Sequence, residues 1–268
     1  MILQILFAFI LLLLAIAPPA LSQTEPKPIV EHLGMLVWAE EVSNFQAVFQ
    51  QRGWHGWGRD TNDVCPTSQP QVTAANASRC DSGPDAIDAR NHSWTGVTCD
   101  PFGHVACINL AGTGLSGPLS SLDNLLDGHM MSLLSLDLSH NRFAGELEGA
   151  WATAYHLQEL HLAGQAADLT GRLPGAWAAP GAFPRLQVLN LAGNQLSGPI
   201  PAAWARDPEA ADGSAFPRLR TAALLPGNSW LCGPVPEGLP LAVLSNSSAG
   251  SSSLGLATGA REQLATSG

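Results

Sequence analysis

The chain has 268 residues, and 46% of them are hydrophobic, a share typical of a globular protein that buries a core. Only 13% are charged, and the formal net charge is -10. An acidic chain without a lysine and arginine cluster in its sequence argues against nucleic-acid binding, which needs basic side chains opposite the phosphates. The 27 glycines and 20 prolines argue against long uninterrupted helices over most of the chain.

An apolar leader opens the chain. Residues 2–17 are apolar except for Gln4, and two prolines and the small residues Ala20 and Ser22 follow. This order predicts a secretory signal peptide over residues 1–22, although no basic residue precedes the apolar run. The alternative is an uncleaved leader that anchors the protein in a membrane. No later stretch approaches the ~20 apolar residues that a membrane helix needs.

Four of the five cysteines lie between residues 65 and 107. Behind a secretory leader they predict two disulfide bonds at one end of the domain, but their spacing leaves the connectivity open. The four candidates are Cys65, Cys80, Cys99 and Cys107. Secretion also fits three N-x-S/T triplets, which make Asn76, Asn91 and Asn246 candidates for N-glycosylation.

Two short patterns recur five times in phase. One is L-x-x-L-x-L, which begins at Val105, Leu133, Leu157, Leu186 and Leu219. The other is apolar-x-Gly-x-apolar, which begins at Leu115, Phe143, Leu169, Leu196 and Leu231. Because alternate residues of a strand point to opposite faces, the leucines of the first pattern enter a core. One such strand cannot bury its apolar side alone, so stacked units predict a parallel sheet over one continuous core.

A polar residue follows the predicted strand at the same position in four of the five units. It is Thr113, Asn141, Gln165 and Asn194 in the first four units; Gly227 takes that position in the fifth unit, and Asn228 comes one residue late. Asn141 and Asn194 lie where the chain turns out of the strand. We expect their amides to satisfy backbone groups that the turn leaves unpaired.

The fourth unit, residues 186–201, fills every fixed position of L-x-x-L-x-L-x-x-N-x-L-x-G-x-I-P. In these patterns, over about residues 30–240, the chain resembles the plant-type leucine-rich repeat proteins, which include extracellular receptor-like proteins and wall-associated inhibitors. The resemblance implies an α/β solenoid, a right-handed superhelix of about five repeats with a parallel concave sheet. It also implies a second, convex strand at each L-x-G unit, with the recurrent tryptophans on the outer side.

The ends of a solenoid need covers. Residues 31–53 predict an amphipathic helix. Residues 93–100 resemble the family's N-terminal cap, C-x-W-x-G-V-x-C, but His92 stands at the first cysteine position. The usual short disulfide is therefore ruled out, and Cys99 pairs with another cysteine or stays free. Residues 227–234 resemble the closing segment without its second cysteine, which makes Cys232 the best candidate for an unpaired thiol.

The predicted organisation has four parts. They are a leader over 1–22, a helical N-terminal cap with a cysteine-bearing insertion over 23–103, about five repeats and a closing segment over 104–239, and a tail over 240–268. The tail is rich in serine, glycine and alanine, and we expect it to be disordered, since it has too little apolar surface to offset its ordering entropy.

Two patterns in the sequence resemble a nucleotide-binding loop and a hydrolase triad, but their places in the repeats argue against both. Residues 112–117 match G-x-G-x-x-G, but the next repeat follows where a nucleotide fold needs a helix. Asp137, Ser139 and His140 are the residue types of a hydrolase triad, but neighbours on one strand rarely form the hydrogen-bond chain that a triad needs. An enzyme is accordingly the least favoured interpretation.

The tryptophans at 151, 177 and 204 have two interpretations. They form either a stripe on which sugars stack or a structural packing layer on the convex side. Their fixed place in the repeat frame favours packing.

The outward positions of the predicted sheet are polar, and adjacent rungs lie about 4.8 Å apart. Asp137, Glu159 and His161 therefore converge, and a metal site is the less favoured interpretation of them. We predict instead a non-catalytic module, without cofactor, that binds a protein, peptide or glycan on this face. The predicted contact residues are Asn109, Ser135, Asp137, Glu159, His161 and Asn190.

We expect a secreted protein. The alternatives are a structural cell-wall or matrix protein and, if the leader is not cleaved, a membrane-anchored or intracellular protein associated with the cytoskeleton or axoneme.

Overall fold

A computed structural model describes residues 27–54, 56–57, 64–65, 80, 94–100, 102–126, 130–167, 169–205 and 215–243. The predicted leader, the glycosylation candidates Asn76, Asn91 and Asn246, and the tail beyond residue 243 lie outside the described residues. Within those described ranges, no helix has the length and apolar character required to cross a membrane.

Strands alternate between two faces of the domain. In chain order, the strands of the described residues are β1 (Val97–Cys99), β2 (Val105–Asn109), β3 (Ser116–Pro118), β4 (Ser135–Asp137), β5 (Arg142–Glu146), β6 (Glu159–His161), β7 (Leu169–Thr170), β8 (Val188–Asn190), β9 (Ser197–Pro199), β10 (Thr221–Leu225), β11 (Trp230–Cys232) and β12 (Leu241–Val243). The described part of the chain also has four 3-10 helices, at Leu119–Leu122, Gly149–Thr153, Gly175–Ala178 and Ala202–Trp204.

One seven-stranded sheet runs along the domain in the order β1-β2-β4-β6-β8-β10-β12. Its pairs are parallel from β2 onward, and only β1 pairs antiparallel, with β2. The middle leucines, Leu136, Leu160 and Leu189, are paired rung to rung and are fully buried. The short strands β3, β5 and β7, and β9 with β11, pair on the convex side. The predicted solenoid, with a parallel concave sheet and a second strand in each unit, is confirmed.

A column of indoles fills the convex side of the core. Trp151, Trp177 and Trp204 are fully buried, and their ring centroids lie 6.2 Å and 6.0 Å apart along the column. Each ring N–H donates a hydrogen bond. The acceptor for Trp151 is Oδ1 of Asp123 at 2.7 Å, and the acceptors for Trp177 and Trp204 are backbone carbonyls. The packing interpretation is confirmed, and the sugar-stacking interpretation is wrong because the ring faces are inaccessible.

The polar residues after the strands form a buried ladder. Nδ2 of Asn194 donates to the carbonyls of Leu191, in its own coil, and Leu162, in the coil before it, while its Oδ1 accepts the N–H of Gln165. Gln165 makes equivalent bonds one coil earlier, and Asn141 makes them two coils earlier. The predicted satisfaction of turn backbone groups is confirmed, and each side chain also joins two adjacent coils.

Between residues 27 and 52 the N-terminal cap forms two helices, where the sequence predicts one over 31–53. Helix α1 (Lys27–Glu41) and helix α2 (Phe45–Arg52) are separated because the chain between them pairs with β3. The N–H of Ser43 donates to the carbonyl of Ser116, and the side chain of Asn44 bonds to the N–H of Ser116 and the carbonyl of Gly114. These contacts cover the open end of the convex sheet.

Aromatic rings and one disulfide hold the cap together, and a second disulfide fastens it to the first coil. Trp57 lies 5.0 Å from Phe45 and 4.7 Å from Trp94 between ring centroids. The disulfides join Cys65 to Cys99 and Cys80 to Cys107, and Cys232 is a free thiol. The four candidate cysteines are thus confirmed as two bonds, and so is the unpaired thiol.

The far end of the sheet continues past the boundary that the sequence predicts. Strand β12 lies within the predicted tail, where it pairs in parallel with β10 and buries Ala242. The carbonyl of Pro240 accepts the N–H of Ala222 at 2.8 Å. The edge of β10 therefore orders the first residues of the tail through main-chain hydrogen bonds, which composition does not reveal. Asn228, one residue late in the sequence, still occupies the ladder and bonds to the carbonyls of Leu191 and Leu224.

Candidate functional site

The outward positions of the concave sheet form two rows. One row runs Cys107, Ser135, Glu159, Val188 and Thr221, and the other runs Asn109, Asp137, His161, Asn190 and Ala223. The strands pair in the register that the repeats predict. At the centre of these rows Asp137, Glu159, His161 and Asn190 are partly exposed. The rows therefore bring four of the six predicted contact residues to one accessible surface.

Glu159 is the electrostatic centre of this surface. Its Oε2 accepts a hydrogen bond from the Ser135 hydroxyl at 3.1 Å and lies 3.8 Å from Nε2 of His161. Interaction with the imidazole of His161 is the largest cause that holds the pKa of Glu159 below its ordinary value. Burial opposes that lowering of the pKa, and the Ser135 hydroxyl adds to it. Glu159 is therefore a fixed negative charge at neutral pH.

Asp137 and Asn190 are oriented by their own turns. Oδ1 of Asp137 accepts the N–H of Ser139 at 2.9 Å, and Oδ1 of Asn190 accepts the N–H of Ala192 at 3.3 Å. Such bonds to the backbone two residues on are characteristic of aspartate and asparagine in turns. Among the described residues, no hydrogen bond occupies Oδ2 of Asp137 or Nδ2 of Asn190. One acceptor and one donor thus remain for a ligand.

The structure narrows the predicted contact set at its N-terminal end. Asn109 is only 8% exposed, and its Nδ2 donates to the carbonyl of Cys80 at 3.3 Å. The Cys80–Cys107 disulfide holds that part of the insertion over the first rung. Ser135 is 5% exposed because its hydroxyl faces Glu159. Neither residue offers an accessible polar group, and Ser135 acts by fixing the carboxylate of Glu159.

The catalytic interpretations do not match the geometry. Ser139 accepts the N–H of Ala163 on its hydroxyl oxygen, and Asp137 bonds to the Ser139 backbone rather than to a histidine. The exposed ring of His140 instead lies over Gly164. No group of three His, Cys, Asp or Glu side chains in the described part of the chain is arranged to hold a metal ion. Gly112, in the G-x-G-x-x-G match, lies in the turn before β3 and not at the start of a helix.

A third row borders the concave sheet and was missed in the sequence. It consists of the residues directly before β6, β8 and β10, namely Gln158, Gln187 and Arg220. Nε2 of Gln187 donates to Oε1 of Gln158 at 2.9 Å, and Arg220 is exposed. Counting alternate positions of each strand overlooks this row. The first variable position of L-x-x-L would have indicated it.

Comparisons with known proteins agree with this geometry. A model of the leucine-rich repeat family matches residues 132–153 and 185–206. No curated protein sequence matches the chain significantly. Among solved structures, the Arabidopsis receptor kinase HAESA ectodomain, in complex with an extended IDA peptide hormone, is similar with a TM-score of 0.52 at 22% identity. That match covers 79% of this chain and 27% of HAESA, so the chain spans about a quarter of that ectodomain.

Two further Arabidopsis structures are similar at lower TM-scores. The BIR2 ectodomain of Arabidopsis thaliana has a TM-score of 0.48 at 22% identity, over 77% of this chain and 83% of BIR2. PEPR1 with AtPEP1 has a TM-score of 0.45 at 23% identity, over 80% of this chain and 27% of PEPR1. At these identities, the likeness to HAESA shows the fold that the two chains share.

Proposed function

We propose that this chain, which has the fold and the repeats of leucine-rich repeat proteins, is a non-catalytic extracellular module that binds a protein or peptide on its concave sheet. One observation carries the proposal: Asp137, Glu159, His161 and Asn190 are partly exposed on adjacent rungs of one paired sheet. Fold alone does not fix function, whereas these side chains are the groups that a ligand would contact.

The surface is pre-organised for binding. The strands are held by main-chain pairing, and Ser135 and two turns fix the carboxylates of Glu159 and Asp137 and the amide of Asn190. A ligand therefore pays little ordering entropy on the receptor side. The sign of the charge also changes along the sheet, from negative at Asp137 and Glu159 to positive at the exposed Arg220. We expect the ligand to place a basic group against β4 and β6 and an acidic or neutral group beside β10.

Several features favour a protein or peptide over a glycan. Sugar-binding surfaces commonly use exposed aromatic faces, but Trp151, Trp177 and Trp204 are buried, and the exposed Trp230 lies on the convex strand β11 and not on the concave sheet. The two outward rows contain amide, carboxylate, imidazole and small side chains but no Trp, Tyr or Phe. Such side chains suit the hydrogen-bonding groups of an extended peptide or a loop.

Secretion is part of the proposal. Two disulfides in one small cap are typical of proteins that fold in an oxidising compartment. The predicted leader agrees with this location, and cleavage of that leader stays a prediction.

A capture experiment with matched variants tests the function. The full chain, secreted from eukaryotic cells, is used to capture proteins and peptides from extracellular fluid of its source, and each captured partner is titrated against Asp137→Ala/His161→Ala. We expect affinity to fall at least about tenfold, since both changes remove groups from the centre of the surface. The control, Ser197→Ala on the convex β9, should bind as the wild type does. A partner that binds all three proteins equally would refute a concave site.

A further inference from the structure

A column of basic residues lies beside the sheet, outside the concave rows. His156, Arg185 and Arg218 each precede the first residue of a strand by three positions, in β6, β8 and β10. Those strands pair in register through Glu159, Val188 and Thr221, so the three basic side chains belong to successive rungs about 4.8 Å apart. Nη1 of Arg185 lies 3.4 Å from Nδ1 of His156.

The charge of this column is not neutralised within the described part of the chain. No carboxylate there lies within 4.0 Å of the guanidinium of Arg185 or Arg218, and both side chains are exposed. Burial and the charge of Arg185 lower the pKa of His156, which keeps that ring neutral beside the arginines at neutral pH. Two adjacent guanidinium groups in a protein of net charge -10 form a local site for an anion.

An apolar pocket adjoins the column and shares His156 with it. The pocket has about 360 Å³ of empty space, part of it open to solvent. Its lining consists of Leu125, Met130, Met131, Leu133, Thr153, Ala154, Tyr155 and His156, none of which is acidic. Met131 is 50% exposed and Tyr155 is 54% exposed, so the rim of the pocket presents apolar surface to solvent. A ligand at this place meets apolar surface and positive charge together.

We propose that this edge binds an acidic peptide segment of a partner protein that carries one large apolar side chain. The apolar side chain enters the pocket between Met131 and Tyr155, and the neighbouring carboxylates bond to Arg185 and Arg218. Charge complementarity selects the acidic segment, because guanidinium groups bind carboxylates in a bidentate manner. A nucleic acid would need a longer basic tract, and an acidic polysaccharide has no apolar side chain for the pocket. This edge is separate from the concave rows, so it does not depend on the function proposed above.

Fluorescence anisotropy of the secreted full chain tests the proposal. The probe is a fluorescein-labelled peptide, Glu-Asp-Phe-Asp-Glu, with both termini blocked. We expect a Kd of about 100 µM or tighter that weakens with added NaCl. Arg185→Ala/Arg218→Ala should weaken binding at least about tenfold, as should Tyr155→Ser or a peptide with serine in place of phenylalanine.

The control variant, Arg142→Ala/Arg172→Ala, removes the same charge from exposed positions on the convex side, and its affinity should equal that of the wild type. Circular dichroism verifies that each variant is folded. Absence of binding at about 1 mM protein would overturn the proposal. Equal losses in both double variants would overturn it too, because they would indicate general charge attraction. Displacement of the peptide by polygalacturonic acid, with no effect of Tyr155→Ser, would overturn it in favour of a polyanion site.

Discussion

Replacing Asn141 with alanine tests whether the buried ladder holds neighbouring coils together. Asn141 is 1% exposed. Its Nδ2 donates to the carbonyls of Leu110 and Leu138 at 2.8 and 2.9 Å. Its Oδ1 accepts hydrogen bonds from the Thr113 hydroxyl and from the N–H groups of Gly114 and Leu115, at 2.9 to 3.1 Å. Four of these five partners, all except Leu138, belong to the preceding coil.

The size of the effect follows from these bonds. A hydrogen bond contributes about 1 kcal/mol net, and a buried backbone group left without a partner costs about 1–3 kcal/mol. Water entering the space left by the amide would satisfy some of the groups. We therefore expect Asn141→Ala to lower the free energy of unfolding by about 3–5 kcal/mol, a large share of the roughly 5–15 kcal/mol typical of a domain.

Urea unfolding of the disulfide-intact protein, followed by tryptophan fluorescence, measures this change. The matched control is Asn190→Ala, in which a partly exposed asparagine loses one turn bond, to Ala192. It should cost less than about 1 kcal/mol. If the two variants lost equal stability, or if Asn141→Ala lost less than about 1 kcal/mol, the ladder would not be what joins the coils.

Two further predictions concern a close contact between coils and the acid stability of the concave face. In Gly227→Ala, where φ is 83°, the new Cβ would lie 2.5 Å from the Cα of Gly193, so we expect a loss of roughly 3 kcal/mol or more in urea unfolding. Gly112→Ala, with φ of 65° and nothing within 4 Å of the new Cβ, should cost only about 1–2 kcal/mol, and equal losses would contradict the contact. Because folding lowers the pKa of Glu159, its contribution to stability is present above the unfolded pKa near 4.5 and is lost as pH falls through the folded value. Glu159→Gln should therefore flatten the decline of the urea midpoint below about pH 4.5, and a decline as steep as that of the wild type would count against the prediction.

The sequence predicted the repeating part of the molecule well because each coil satisfies local and periodic rules. The strand register, the buried leucines and the ladder at Asn141 and Asn194 follow from a spacing that neighbouring coils share. The resemblance to a known family added the convex strands. Asn228 shows what residue spacing cannot predict. It is one residue out of register with the other repeats, yet its side chain makes the same hydrogen bonds as the other ladder residues.

The differences come from contacts between segments that are distant in the sequence. The break between helices α1 and α2 depends on Ser116, more than 70 residues away from Asn44. The burial of Asn109 depends on Cys80, whose pairing with Cys107 the sequence left open. The basic column escaped notice because Arg185 and Arg218 are 33 positions apart in the chain and become neighbours only when β8 and β10 pair. Reading charge along each repeat position, instead of along the chain, would have found it.

The Cys80–Cys107 bond closes the N-terminal end of the concave sheet to a ligand. In a solenoid without such a bond, every coil presents an equivalent rung, and an elongated ligand can shift from one rung to the next. Here Cys80 lies at the first rung, where it is covalently attached to Cys107 and bonds to Asn109. Ligands of different lengths would all start beside Asp137 and differ only in how far they extend toward Arg220. The protein would then distinguish ligands by their length without any additional contact, because one end of every ligand would lie at the same place.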